Sequence, residues 1–444
     1  MIIKGRCALL FTGLAIAVLC GSALATEYCV ATTGNDGNPG TEANPWATLQ
    51  HAVDNVSPGD VILVKAGTYA GCQIAESGEP EAVCTLKAEE RRSVVINEVG
   101  PRGRRGTNLE VGSSERPVRY WVIDGFEVTN AQRWGIALLH TEYITVQHCY
   151  VHDCGSTGIF TSFAYYPTIQ YNESCHNGEH GVYQSNSGDY PEIRGNRLHH
   201  NYGCGVHMNG DIRFQPGDGI ISHAIIEQNV IWENGTGGGA AINMDGCSDC
   251  IVRNNLAYRN HATGIAIFAE DGAEGSSRNQ VYNNTIVTAP DSRWAVKIPT
   301  SLSDKPNPTG NTVVNNILFT PDSSTGSIYV WGAQGLAESD HNLVVDRFTA
   351  DDGEGIISLE DWRREGYDLH SRVATPEEVF ADVAQDDYRL RPGSPAIDAG
   401  IAVSEVANDL DGVSRPQGSR CDIGCYEAAA SAEQQEPAAD TTDH

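Results

Sequence analysis

The chain has 444 residues, with 58 Asp and Glu against 29 Lys and Arg, for a formal net charge of −29. A surface of that sign repels nucleic acid and anionic membranes, which excludes both as partners held by bulk electrostatics. Beyond the first 25 residues no stretch approaches the roughly 18 consecutive apolar residues of a membrane-spanning helix.

The first 25 residues read as a leader. Lys4 and Arg6 precede a continuous apolar run from Cys7 to Leu19, and Ala23-Leu24-Ala25 supplies a small-x-small cleavage site. This predicts a signal peptide over residues 1–25 and a secreted product, extracellular or periplasmic. All but two of the 13 cysteines, Cys7 and Cys20, lie beyond it. Export permits disulfides, and Cys72/Cys84, Cys247/Cys250 and Cys421/Cys425 are the candidate pairs, with an odd thiol left over. Cys149, Cys154, Cys175 and Cys204 suit small buried hydrophobes.

Residues 28–69 open with a short strand and a Gly/Asn/Asp/Pro loop. Helical apolar spacing follows over residues 47–56, then a Pro58-Gly59-Asp60 turn and a strand over residues 61–65. From residue 122 the chain repeats itself. Gly135-Ile136-Ala137, Gly158-Ile159-Phe160, Gly181-Val182-Tyr183 and Gly205-Val206-His207 recur at nearly constant spacing. Ala241-Ile242-Asn243, Gly264-Ile265-Ala266, Ala295-Val296-Lys297 and Ser327-Ile328-Tyr329 continue the series past longer insertions. Asn172, Asn196, Asn229, Asn255, Asn284 and Asn316 form a second column, and Asn177, Asn201, Asn234 and Asn260 a third. Periods of this length define a solenoid, whose units bury their apolar faces only by stacking. The asparagines read as structural ladders.

The phrases TGNDGNPGT, NPWATLQHAVD and PGDVILVKAGTY within residues 33–69 resemble the N-terminal cap of secreted β-helix proteins of the pectin-lyase-like superfamily. DYRLRPGSPAIDAG and DLDGVSRPQGSRCDIGCYE, within residues 387–427, resemble the closing segment of the same group. The resemblance implies an all-β fold: a single-stranded, right-handed parallel β-helix with an N-terminal helical cap, spanning residues 26–430. An acidic, disordered tail is expected over residues 431–444. The group implies action on a polysaccharide, but fold alone does not fix a reaction. Family-nine pectate lyases, whose cap is similar, use an Asp cluster for Ca²⁺ and a lysine base. Asp245, Asp249 and Lys297 suggest that arrangement only loosely.

Strand alternation narrows the search. With Val182, Val206, Ile242, Ile265 and Val296 inward, Tyr183, His207, Asn243, Ala266 and Lys297 point outward. Two positions on, Ser185, Asn209, Asp245 and Phe268 do the same. Such a face suits β-elimination on a uronic-acid-containing chain, which needs a base, a proton donor and neutralisation of the carboxylate. Tyr183 and His207 are the expected catalytic pair, with Lys297 as alternative base. Ser185, Asn209, Asn243 and Asp245 are expected to bind substrate, and Asp189, Asp211 and Asp218 to hold a Ca²⁺ ion. The partner is then an acidic polysaccharide and the protein a monomer. Two alternatives are a glycoside hydrolase using paired Asp residues on this face and a non-catalytic glycan binder, with Trp134, Trp232, Trp294 and Trp331 stacking on sugars.

Overall fold

The computed structural model describes residues 25–103, 105–302 and 304–429. The expected signal peptide and acidic tail fall almost wholly outside them. Each coil contributes three strands, for example Val182–Ser185, Glu192–Arg194 and Arg197–His199. Each strand pairs in parallel with its counterpart one coil on. The first two rows merge into one 22-stranded sheet, because the long strand Ile136–Gln147 belongs to both, and the third row is a 12-stranded sheet. The register is the one the repeat demanded: Val182, Val206, Ile242, Ile265, Val296 and Ile328 are successive partners. Their side chains are fully buried.

The glycine that opens each repeat answers to space. A Cβ on Gly181 would sit 2.8 Å from the Gly205 carbonyl oxygen and 3.0 Å from the Asn201 amide. The amide of Asn201, one rung of an asparagine ladder, fills that room, and a longer ladder runs through Asn229. Asn229 Oδ1 accepts from the Asn196 backbone N–H at 2.9 Å and its amide at 3.0 Å. Asn229 Nδ2 donates to the Ile193 carbonyl at 2.8 Å and to Asn255 Oδ1 at 2.9 Å. The same bonds repeat from Asn172 to Asn342, and a second ladder joins Asn177, Asn201, Asn234 and Asn260. Corners demand left-handed backbone, which is strained for bulky residues. Tyr143, Tyr166 and Tyr190 nevertheless adopt it (φ 56°, 54° and 59°), and their rings stack at 4.7 and 4.8 Å along the axis.

The expected early helix is Leu49–Asp54, capped by the Thr48 side chain, with Leu49, Ala52 and Val53 buried. Residues 387–427 do not close the stack. They lie along the 12-stranded sheet, where Ile423, Cys425 and Tyr388 pack on a cluster containing Leu256, Ile317, Phe319 and Leu343. The last coil is instead covered by the helix Leu359–Arg364, whose Trp362 is fully buried and stacks on Phe348. The three expected disulfides are also absent. Every cysteine among the described residues is a buried free thiol. Cys247, for instance, faces the interior within the core cluster, as a small hydrophobe does.

Because four ladder bonds converge on Asn229, Asn229→Ala strands donors and acceptors in the core. We expect a loss of about 2–5 kcal/mol, read as a lower urea midpoint with unchanged m-value.

Candidate active site

The outward row of the first-row strands runs Phe160, Tyr183, His207, Asn243, Ala266, Lys297, Tyr329, all in register. Its upper part forms one wall of a cleft of about 500 Å³ lined by Arg105, Arg133, Trp134, Phe160, Tyr183, Ser185, Asn209, Arg213 and Asp271, among others. The floor is apolar: Trp134 and Phe160 stack at 3.9 Å, and Tyr183 meets Phe160 edge-on at 5.4 Å. Arg133 lies 4.0 Å over the other face of Trp134. That tryptophan has no ring face left for a sugar. Trp232 is similarly held, between His199 at 4.1 Å and Tyr258 at 5.9 Å. Both are packing residues.

Tyr183 and His207 meet edge-to-face at 4.5 Å. The Asn209 amide Nδ2 donates to the Tyr183 oxygen at 3.4 Å and to Asp271 Oδ2 at 3.3 Å, and Asn209 Oδ1 is buried with no partner. Burial raises the Tyr183 phenol above its ordinary value of 10.0, so it stays protonated at neutral pH. His207 is pushed the other way. Burial first, then the neighbouring His180, hold it well below 6.5 as a neutral base. Its ring stacks on His180 at 4.5 Å, and Nδ1 lies 2.8 Å from the Asn243 amide. The Asn243 Nδ2 group donates there, so Nδ1 carries the lone pair and Nε2 the hydrogen.

The structure therefore joins Tyr183, His207, Asn209, Asn243 and Ser185, and separates the rest. Lys297 is four coil spacings from Tyr183, roughly 19 Å at about 4.8 Å each, so the two cannot serve one carbon atom. It faces Tyr329 instead, with its ammonium 4.7 Å from the ring. Asp245 is spent on structure. Its carboxylate accepts backbone N–H groups of Glu270, Asp271 and Gly272 at 2.8, 3.1 and 3.1 Å and is buried.

The expected Ca²⁺ ligands do not converge. Asp189 accepts from the Ser222 N–H and hydroxyl at 2.9 and 2.7 Å, and Asp218 from the Ile220 N–H at 3.0 Å. Asp211 is gripped by Arg213, whose guanidinium also reaches Asp271 at 2.9 Å. None of the three joins another His, Cys, Asp or Glu in a set of three converging donor atoms among the described residues. A Ca²⁺ ion needs six to eight oxygens at about 2.3–2.6 Å, so this donor set does not fit it.

What the sequence reading missed are the cations. Arg105 and Arg133 line the cleft with no carboxylate in ion-pair range among the described residues. Both sit off the repeating strands, where periodicity gives no signal.

A family model described as the Pel9A-like right-handed β-helix region matches residues 28–291. The chain belongs to the Pel9A-like right-handed β-helix family. A curated relative, pectate lyase PEL9 of Emericella nidulans, is 25% identical over 402 residues, covering 78% of this chain and 97% of its own. The crystal structure of pectate lyase Pel9A superposes with a TM-score of 0.65 at 19% identity, over 92% of this chain and 97% of that one. A rhamnogalacturonan lyase structure follows at 0.51 and 16% identity, over 72% and 87%. At these identities the structural likeness is one of fold. The family's β-helix explains why an enzyme-like cleft lies on a strand face and not at a sheet end.

The buried His180 beside this cleft has its pKa lowered to about 4, first by desolvation. The unfolded chain then binds a proton near pH 6.5 that the folded chain refuses, so stability is full above that pH and falls as pH drops towards 4. We expect the urea midpoint to decline between pH 6.5 and 4.5, and less steeply in His180→Gln.

Proposed function

We propose that this protein is a lyase that cleaves a uronic-acid-containing polysaccharide by β-elimination in the Tyr183–His207 cleft. The observation that carries the reading is a phenol kept protonated, on a cleft that Arg105 and Arg133 also line, with an imidazole kept neutral packed against it at 4.5 Å between ring centres. The pectate-lyase relative supports the same class. Arg105 and Arg133 would hold uronate carboxylates, and Asn209 and Asn243 would orient the reacting sugar. The His207 imidazole takes the proton beside the carboxylate, and the Tyr183 hydroxyl protonates the departing glycosidic oxygen. Charge that builds on the carboxylate is met by fixed cationic and amide donors.

Hydrolysis by paired aspartates fares worse. Asp211 and Asp245 are tied through both carboxylate oxygens to guanidinium or backbone donors, and Asp189 is held through Oδ1 by Ser222.

Purified protein should generate ultraviolet-absorbing unsaturated ends from at least one of pectate, alginate, glucuronan or glycosaminoglycan, with polygalacturonate first in line. Tyr183→Phe and His207→Ala should each lower turnover by roughly 10²–10⁴-fold with unchanged circular dichroism. Full activity in both variants would remove this site. The pH profile carries its own signature. With the His207 pKa held well below 6.5 and that of Tyr183 above 10.0, kcat/KM should stay flat from pH 6.5 to 9. An acid limb centred at 6.5 would assign the base to another group.

A further inference from the structure

Away from the cleft, the outer face of the 12-stranded sheet carries a second polar cluster that the lyase chemistry does not use. His152, Cys175, His199 and Trp232 occupy one outward column on consecutive coils. The corner residues that follow two of these strands, His176 and His200, take left-handed backbone (φ 54° and 53°), which turns their rings back over the sheet, stacked on one another at 5.0 Å. The Cys175 sulfur and one ring nitrogen each of His176 and His199 lie within 4.8 Å of one another. His199 Nδ1 is 2.9 Å from His200 Nδ1.

The tautomer of His199 decides what these groups can do. Its Nε2 lies 3.2 Å from Glu173 Oε1, and Glu173 is itself held through its other oxygen by Arg92 at 2.7 Å. An ionised carboxylate only accepts, so Nε2 carries the hydrogen and Nδ1 carries the lone pair, aimed at His200. A carboxylate behind an imidazole, fixing the tautomer and raising basicity, is the usual support of a metal-ligating histidine. Two neighbouring coils thus present one thiol and two imidazoles with converging donors, a soft sulfur–nitrogen set suited to tetrahedral Zn²⁺. His176 and His200 border an open cavity of about 430 Å³, which gives an ion a way in.

We propose that Cys175, His176 and His199 form a Zn²⁺ site, its fourth position left to water, that staples two adjacent coils on the face away from the catalytic cleft. Binding forms Zn–S and Zn–N bonds and releases the Cys175 thiol proton to solvent; no electron is transferred. Because the ligand is the thiolate, affinity rises with pH. Glu173 is a positioning residue.

A second trio, His180, Cys204 and His207, also has donor atoms within 4.8 Å. Its histidine rings are stacked almost parallel, at 11°, so their in-plane lone pairs do not converge on a point between them, and His180 Nδ1 already accepts the Cys204 N–H at 3.0 Å. It serves as the control.

The test titrates the metal-free full-length protein with Zn²⁺ against a chromophoric chelator, and with Co²⁺ to read the thiolate-to-metal charge-transfer band. One equivalent should bind and raise the Tm. Cys175→Ser should abolish the band, and His199→Gln and the exposed His176→Gln should weaken binding. Glu173→Gln should weaken it about 10–100-fold, and Cys204→Ser should leave it intact. Because the His176 ring is exposed, that variant keeps the test open if a buried change prevents folding. The proposal is overturned if the native chain binds Zn²⁺ no more tightly than Cys175→Ser or His176→Gln, or if Cys204→Ser is the variant that loses the ion. Lyase activity enters neither outcome.

Discussion

In-register parallel pairing is the constraint on which everything else in this molecule rests. A coil cannot satisfy its backbone alone; each N–H and C=O in a strand finds its partner one coil above or below. Once that register is set, any residue type at one position becomes a column about 4.8 Å in pitch. Glycine recurs where the next coil's carbonyl approaches within van der Waals range, as at Gly181. Asparagine recurs because its amide both donates and accepts, joining coil to coil inside the core. Left-handed corners survive at tyrosine because the rings stack along the same axis.

The same lattice builds chemistry. Adjacent side chains in a column are close enough to desolvate one another, so outward groups on an extended face behave as if buried. Tyr183 and His207 are pushed in opposite directions by that shared loss of water, the phenol towards its protonated form and the imidazole towards its neutral one. A proton donor and a proton acceptor arise side by side. On the other sheet, the pairing of Cys175 with His199 produces soft donors by the same geometric rule.

Whatever follows the period was legible in the sequence. The first-row register, the inward and outward faces and both long Asn ladders follow from spacing alone. So do the neighbours Tyr183, His207, Asn209 and Asn243. What departs from the period was hidden. Arg105 and Arg133 belong to corners and connections, whose direction no repeat dictates. Acidic residues misled for a related reason: Asp245 and Asp189 look like ligands in sequence, but an insertion must be fastened to the stack, and carboxylates that accept backbone or side-chain N–H and O–H groups do that work. The cysteine pairs misled too, since closeness along the chain says nothing about two thiols that both point into an apolar core. The capping of the last coil by Trp362 depends on a helix whose partner, Phe348, is known only once the final coil is placed.

The most direct test of β-elimination is the fate of water oxygen. Polysaccharide that the protein degrades should be digested in water labelled with heavy oxygen and the oligosaccharides weighed by mass spectrometry. Elimination breaks the C–O bond without adding water, so the new ends should carry no label and each unsaturated product should be lighter than its hydrolytic counterpart by one water. One heavy oxygen per cleaved bond, in saturated products, would contradict the account and make the enzyme a hydrolase.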